Sequence, residues 1–262
     1  MSESVEPIPS DEIDPQRFAQ QPAPLAISAD MIAPPVKVDK RIDFERGMRY
    51  GPPLTLLLIA VNVAVFIWEL SIGALESRDS IIAAGALWKM DVLEGQVWRL
   101  FTAMFLHGGF DHLIGNCMVL YVLGMACEHG FGAWRAGAIY LLSGLAGSAM
   151  SLAMTTGPSV GASGAIFGLC GAVSVFFLRY HKTFFLRDKR VSIVLLVWAG
   201  WSIATGFLSP EIDNFAHIGG FVGGALVASI VPRRDRPELT EPFAVVMKRP
   251  AAPASNPGRP AM

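Results

Sequence analysis

Charged residues are scarce in this sequence of 262 residues: only 16% are Asp, Glu, Lys or Arg, whereas soluble domains carry about a quarter. Hydrophobic residues make up 52% of the chain and the mean hydropathy is positive. This composition excludes an ordinary soluble domain and favours a membrane protein. Because the formal net charge is −1, the chain has no basic field to attract a nucleic acid, and we predict no such partner.

Cysteine is also sparse, and the first residues do not have the pattern of a secretory leader. Cys117, Cys127 and Cys170 lie in apolar stretches without metal-ligand spacing, so we predict buried thiols and neither a metal nor another cofactor. The first residues, MSESVEPIPSDEID, are acidic and lack the basic start and apolar run of a secretory signal. We therefore expect membrane entry through an internal helix and no cleaved leader.

Long uncharged runs are what the sequence has in abundance. The first starts at Leu54 and, extended past Glu69, reaches the roughly 20 residues that a bilayer-spanning helix requires. An uncharged block at 136–178 is long enough for two helices, which the TTGPSVG break at 155–161 separates. Three further spans are predicted at about residues 112–127, 191–208 and 214–231. The sequence therefore predicts an all-α membrane protein with six transmembrane helices.

The segments outside the spans differ in character. Residues 1–50 and 233–262 are polar and proline-bearing, a composition that predicts disordered tails on either side of a helical domain at 51–232. Residues 71–111, between the first two spans, contain tryptophans and an apolar run interrupted by charges. Such amphipathic pieces favour the headgroup region of a bilayer.

The distribution of Lys and Arg predicts the orientation of the helices. One side has the basic residues before the first span, Arg135, the loop at 179–190 and the arginines that follow Pro232, whereas the other has only Arg78, Lys89 and Arg99. Because basic residues accumulate on the cytoplasmic side, both termini are expected in the cytoplasm. We predict a multi-pass protein of a bacterial-type inner membrane.

Four polar residues inside the spans need an explanation, because unpaired polar groups are costly in a membrane. His112 and Asn116 lie at the start of the second span, Ser163 at the start of the fourth and His217 at the start of the sixth. With the termini inside, all three spans run from outside to inside. The four side chains are therefore expected at one depth just below the outer surface, which predicts a single site.

Ser163 is the candidate nucleophile. It lies in GASGAIFG, directly after the proline- and glycine-bearing break, where Gly161 and Gly164 allow a close approach of substrate. A helix start offers free amides and a positive dipole end to a developing oxyanion. His217 is a candidate base for the hydroxyl. Taken alone, Ser163 is also consistent with a small packing residue and His217 with a histidine bonded to a neighbouring helix.

Two strips of small residues predict how the serine and the histidine meet. Gly220, Gly224 and Ala228 follow His217 at helical spacing. A similar strip on the fourth span consists of Gly164, Gly168 and Gly171. Small residues let membrane helices approach closely, so these two spans are expected to pack backbone to backbone, with Ser163 and His217 within hydrogen-bond reach.

His112 and Asn116 are candidate oxyanion donors. They are four residues apart in HLIGN, which stacks them on one helix face. The alternative is a pair that caps the helix start. His107 and Asp111 lie nearby, but the intervening glycines and lone carboxylate do not form a recognisable metal site. Two further residues, Arg99 and Glu128, are expected to be structural.

Taken together, the Trp98–Arg99 pair, FLH ending at His107, HLIGN, GASG and AHIGG resemble, in order and spacing, the rhomboid family of intramembrane serine proteases. The resemblance covers about residues 51–232. It implies the six-helix rhomboid bundle, with a partly membrane-immersed loop between helices 1 and 2. It also implies a Ser163–His217 dyad without a third member and an oxyanion site formed by His112, Asn116 and the Ser163 amide. Because only six spans are predicted, the seventh helix of some relatives is not expected here.

The expected function is endoproteolysis of transmembrane segments in single-pass membrane proteins near the outer leaflet, with the lipid bilayer as the other partner. Two alternatives remain open. An inactive rhomboid-like scaffold that binds membrane clients typically lacks the serine or the histidine, and both are present here. A transporter would use midplane charges or broken helices, whereas the centres of these spans carry almost no charge.

Overall fold

The computed structural model describes residues 41–209 and 211–235, except for the side chains of 186–189. Regular structure in these ranges is helical, apart from two isolated β-bridges. The nine described helices are α1 (Pro53–Ser71), α2 (Arg78–Ala83), α3 (Lys89–Leu93), α4 (Arg99–Thr102), α5 (Phe110–Phe131), α6 (Ala133–Met154), α7 (Ser163–Arg179), α8 (Leu186–Gly206) and α9 (Asn214–Ile230).

Three of these helices, α1, α5 and α6, are long and apolar enough to cross a membrane, with 19, 22 and 22 residues. The chain is therefore an integral membrane protein. The apolar helices α7 and α9 and the 190–206 part of α8 are shorter, between 10 and 17 residues. These six helices start and end within a few residues of the predicted spans, because the uncharged runs leave backbone hydrogen bonding inside a helix as the low-energy arrangement in lipid.

The boundaries of α1, α5 and α6 follow from proline and glycine. Pro53 occupies the first position of α1, where a missing N–H costs nothing and the fixed φ suits a helix. Gly132 separates α5 from α6 with φ +85°, in the left-handed region that side chains rarely adopt. The connection between α5 and α6 is therefore a single residue.

The segment between α1 and α5 consists of the three short helices α2 to α4. The buried Arg99 guanidinium donates to the carbonyl oxygens of Ile82 and Ala86 and forms an ion pair of 2.7 Å with Asp91. Leu87 pairs in a β-bridge with Ser159. Arg99 thus joins the short helices to one another, and the β-bridge attaches the segment to the loop that precedes α7.

The core is centred on α7, which contacts α5, α6, α8 and α9. Thirteen of its 17 residues are buried, so α7 is apolar on all sides, as expected for a helix surrounded by others. Glu128 near the C-terminal end of α5 accepts hydrogen bonds from the Thr55 N–H and hydroxyl, both at 3.1 Å. This carboxylate joins the ends of α1 and α5, which agrees with its predicted structural role.

Residues 41–50 differ from the prediction, which assigned them to a disordered tail. Ile42 and Phe44 are only 3% and 5% exposed. The Phe44 ring packs edge-on against an aromatic cluster from α5, α7 and the loop before α8, formed by His129, Phe176, Phe177 and Phe184. These two apolar side chains, together with the β-bridge between Ile42 and Phe184, attach the segment to the helices. Of the predicted tails at 1–50 and 233–262, residues 1–40 and 236–262 lie outside the described residues.

Candidate active site

The site rests on a backbone contact between α7 and α9. A Cβ at Gly220 would collide with the carbonyl oxygen of Gly164, and a Cβ at Gly224 would collide with that of Gly168. The two helices therefore touch along the glycine strips that the sequence analysis singles out, and no larger residue fits at these positions. Because Gly164 follows Ser163 and Gly220 lies three residues after His217, this contact brings their side chains together.

Ser163 and His217 are within hydrogen-bond distance: Ser163 Oγ lies 3.0 Å from His217 Nε2. Ser163 is the first residue of α7, where the backbone N–H groups have no partner within the helix. The imidazole stacks on Phe167, with ring centroids 4.2 Å apart and an interplanar angle of 9°. His217 Nδ1 is buried without a hydrogen-bond partner among the described residues. The arrangement is a pair, suited to base-assisted attack by a hydroxyl.

His112 and Asn116 face the loop that leads to Ser163. A Cβ at Gly161 would lie 2.7 Å from His112 Cε1 and 3.6 Å from Asn116 Nδ2. Gly161 has φ +126°, so a side chain there is excluded both by backbone conformation and by these neighbours. The sequence thus needs glycine two residues before the serine.

The polar atoms of these two residues are available as donors. His112 Nδ1 accepts a hydrogen bond from the Gly108 N–H at 3.4 Å, which assigns the ring proton of the neutral form to Nε2. Asn116 Nδ2 is buried and has no partner in the described part of the chain. Both donors lie on the side of α5 that faces the Gly161 loop, which suits stabilisation of a negative oxygen beside Ser163.

The loop before Ser163 is fixed by backbone bonds to the segment between α1 and α5. Leu87 and Ser159 exchange two N–H to carbonyl bonds of 2.9 Å, and the Gly161 N–H donates to Ala103 at 2.8 Å. These bonds attach the loop before Ser163 to the segment that leads into α5, the helix of His112 and Asn116.

Trp98 and Arg99 contact each other in the segment between α1 and α5. The Arg99 guanidinium is 4.7 Å from the centre of the Trp98 ring, and Trp98 is 48% exposed. An exposed tryptophan beside a buried arginine is suited to the membrane interface. The pair organises the short helices and does not contribute a group to the serine site.

His107 is buried and lies beside His112, with ring centroids 5.3 Å apart. The backbone N–H of His107 donates to both carboxylate oxygens of Glu69, at 3.0 and 3.2 Å. Glu69 therefore fixes the chain just before α5. Within the described ranges, no group of three His, Cys, Asp or Glu side chains could hold a metal ion.

Sequence reasoning missed Phe167, Glu69 and Asp213. Phe167 lies four residues after Ser163, on the same face of α7, and its ring also stacks on Trp198 of α8 at 5.3 Å. Asp213 lies four residues before His217 and accepts the Ala216 N–H at 3.0 Å. The spacing of four was the available signal in both cases. For Glu69, the signal was a carboxylate in an otherwise uncharged span.

The fold and the site define a helical membrane protein in which a serine and a histidine from two packed helices form a hydrogen-bonded pair. The family model described as the Rhomboid domain matches residues 94–234. The chain belongs to the rhomboid family, as the motifs predict.

Similar proteins are found in both bacteria and plants. Rhomboid protease GluP of Bacillus subtilis is 36% identical over 178 residues, which are 68% of this chain and 34% of that protein. RHOMBOID-like protein 7 of Arabidopsis thaliana is 46% identical over 159 residues, 59% of this chain and 50% of that protein. Rhomboid protease AarA of Providencia stuartii is 32% identical over 202 residues, 67% of this chain and 71% of that protein. The chain thus spans half or less of the first two relatives.

Proposed function

We propose that this chain is an intramembrane serine endopeptidase that cleaves transmembrane segments of single-pass membrane proteins, with Ser163 as nucleophile and His217 as general base. The observation that carries the proposal is the 3.0 Å separation of Ser163 Oγ and His217 Nε2. Two relatives that are named as rhomboid proteases support the same class of activity.

The reaction would be acyl transfer. His217 takes the hydroxyl proton of Ser163 as Oγ attacks the peptide carbonyl, and it then gives that proton to the leaving amine. Negative charge develops on the carbonyl oxygen, where Asn116 Nδ2, His112 Nε2 and the Ser163 N–H are the proposed donors. A water molecule, deprotonated by His217, then hydrolyses the acyl-enzyme and restores the free serine. No metal or other cofactor enters this scheme.

We infer six membrane spans, α1 and α5 to α9, with the site near the outer surface. The helices α7 and α9 have 17 residues each and are about 25 Å long, shorter than the roughly 30 Å hydrocarbon core. Their first residues would therefore lie below the outer surface, within reach of water from that side. Cleavage would fall near the outer end of the substrate segment, after local unwinding of the substrate helix.

The orientation is inferred from basic residues at the opposite end of the bundle. Arg179 at the end of α7 donates to the Ser229 carbonyl at 2.9 Å, and the Arg233 guanidinium lies 4.7 Å from the centre of the Tyr180 ring. Arg135 lies in the first turn of α6, at the same end of the bundle. The positive-inside rule would place this surface and both termini in the cytoplasm, as in a bacterial inner membrane.

The test combines covalent labelling with cleavage in detergent micelles. The purified parent should react with a fluorophosphonate probe and cleave a reporter transmembrane peptide, whereas Ser163→Ala should do neither and His217→Ala should lose cleavage. Ser174→Ala is the matched control, because Ser174 is a buried serine of α7 that donates to the Cys170 carbonyl at 2.8 Å. This control should label and cleave like the parent. Parental cleavage by Ser163→Ala would contradict the mechanism.

The same experiment separates the enzyme from the inactive scaffold. A scaffold would bind transmembrane peptides without labelling or cleavage, and its binding would be insensitive to Ser163→Ala. A serine protease requires a hydroxyl and an imidazole in contact, whereas a scaffold does not, so their 3.0 Å separation favours the enzyme.

A further inference from the structure

Asp213 links the start of α9 to the end of α6 and to the loop that leads to Ser163. Its carboxylate accepts the Ala216 N–H at 3.0 Å, which caps the start of α9. It also accepts the Thr155 hydroxyl at 2.9 Å and the Ser151 hydroxyl. Ser151 belongs to the last turn of α6, and Thr155 is the first residue after that helix, at the start of the loop that leads to Ser163.

The Asp213 carboxylate is held in its charged form. Burial alone would raise the pKa of Asp213, but the hydrogen bonds from the surrounding hydroxyl groups and from the Ala216 N–H outweigh burial and keep this pKa below its usual range. A charged acceptor forms stronger hydrogen bonds than a neutral one. The attachment between α6 and α9 is therefore strong at neutral pH.

The start of α9 is also fixed from the other side. The buried Asn214 side chain lies against Gly206, the last residue of α8. A Cβ at Gly206 would collide with the side-chain amide of Asn214. The Asp213 carbonyl accepts the His217 N–H at 3.3 Å. The first turn of α9 thus places the His217 backbone between the ends of α6 and α8.

His217 depends on this placement because its ring has few other polar contacts. Its Nε2 faces Ser163, and its Nδ1 has no hydrogen-bond partner among the described residues. In a triad a carboxylate at the second nitrogen orients the imidazole. Here the ring is oriented by the stack on Phe167 and by the backbone of α9.

We propose that Asp213 is a positioning residue for the Ser163–His217 pair: it attaches the first turn of α9 to the end of α6 and to the loop before Ser163, and so fixes the distance between Oγ and Nε2. The inference rests on the proposed protease function. Asp213 contacts neither Ser163 nor the proposed oxyanion donors in the described structure. Its loss should therefore slow the chemical step and leave substrate binding largely unchanged.

The experiment measures kcat and KM for a reporter transmembrane peptide in micelles, together with the melting temperature. Asp213→Ala should lower kcat on the order of 10- to 100-fold, because small misplacements of reacting groups cost that much, with KM close to that of the parent. Asp213→Asn should recover most of kcat, because Asn is as good a helix cap as Asp and keeps a carbonyl oxygen for Thr155.

Ser77→Ala is the matched control for the loss of a helix cap. The Ser77 hydroxyl caps α2 by accepting the Ser80 N–H at 3.1 Å, and Ser77 takes no part in the serine site. This variant should lose stability by a similar amount and keep parental kcat. If kcat of Asp213→Ala is parental, or falls only as far as that of Ser77→Ala, the positioning role is wrong. A rise in KM alone, or an Asn variant as slow as the Ala variant, would also overturn it.

Two safeguards keep the outcome interpretable. If Asp213→Ala does not fold, Thr155→Val removes one donor to the carboxylate with little change of shape, and it should lower kcat by a smaller factor; parental kcat would contradict the proposal. A parent that neither labels with a fluorophosphonate nor cleaves would instead refute the protease function. An active parent beside an equally active Asp213→Ala refutes the positioning role alone.

Discussion

Gly220 of α9 lies directly against the carbonyl oxygen of Gly164 of α7, closer than any side-chain carbon could approach. Ser163 precedes Gly164, and His217 lies three residues before Gly220. The same helix contact thus determines both the packing of the bundle and the separation of the serine and the histidine. Chemistry and stability are expected to respond together when this contact is disturbed.

Gly220→Leu should therefore abolish cleavage and lower the melting temperature, because the side chain must force α7 and α9 apart. Overpacking of this kind costs about 1–3 kcal/mol or more. Gly200→Leu is the matched control, since a Cβ at Gly200 on α8 meets no atom within 4 Å. Differential scanning fluorimetry and peptide cleavage in the same micelles provide the comparison. Parental stability and turnover in Gly220→Leu would show that this strip is not a tight contact in the membrane.

The sequence predicts the helices and the candidate site for a physical reason. In lipid, a helix is the low-energy conformation of an uncharged run, so the apolar helices can be predicted from hydropathy alone. The candidate site can be predicted because polar residues in such runs are rare and four of them, Ser163, His217, His112 and Asn116, lie near the starts of three predicted spans. Glycine spacing then indicates which two spans touch.

Contacts between distant segments could not be predicted in this way. The Phe44 ring contacts side chains more than 80 residues further along the chain, and nothing in its polar neighbourhood indicates a partner. The hydrogen bonds that Ser151 and Thr155 donate to Asp213 likewise join residues about 60 positions apart. Periodicity reports how one helix is buried, whereas these contacts depend on how several elements meet.

The docking of residues 41–50 leads to a prediction about stability. Phe44→Ala should destabilise the protein by about 3–5 kcal/mol, as in other well-packed cores, because its ring contacts four aromatic side chains. The control is Phe207→Ala, since Phe207 is 59% exposed. Unfolding followed by tryptophan fluorescence measures both. Equal midpoints for the two variants would mean that the segment contributes nothing to the fold.

The proposed orientation predicts which loops are accessible from each side of the membrane. In right-side-out vesicles, tags at both termini should resist an added protease, whereas a tag inserted next to Glu211, in the loop between α8 and α9, should be digested. Detergent-permeabilised vesicles, in which all tags are cut, control for intrinsic resistance. Digestion of the terminal tags in sealed vesicles would show that the orientation is the opposite of the one proposed, with the site near the cytoplasmic surface.

Asn116 tests the oxyanion assignment separately from the Ser163–His217 pair. Its Nδ2 group is buried, has no partner among the described residues and lies near Gly161. A donor that bonds the carbonyl oxygen mainly in the transition state affects turnover more than substrate binding. Asn116→Ala should therefore lower kcat on the order of 10²-fold with a smaller change in KM, and the serine should still react with a fluorophosphonate.

The matched control for Asn116 is Asn62→Ala, which removes another buried amide from a membrane helix. Asn62 Nδ2 donates to the Leu58 carbonyl of its own helix at 3.0 Å, so its loss should affect stability and leave kcat near parental. If His112 shares the oxyanion charge, the Asn116→Ala and His112→Ala double variant should lose far less than the product of the single effects. Parental kcat with a raised KM in Asn116→Ala would assign Asn116 to substrate binding, and an unfolded variant would make it a structural cap of α5.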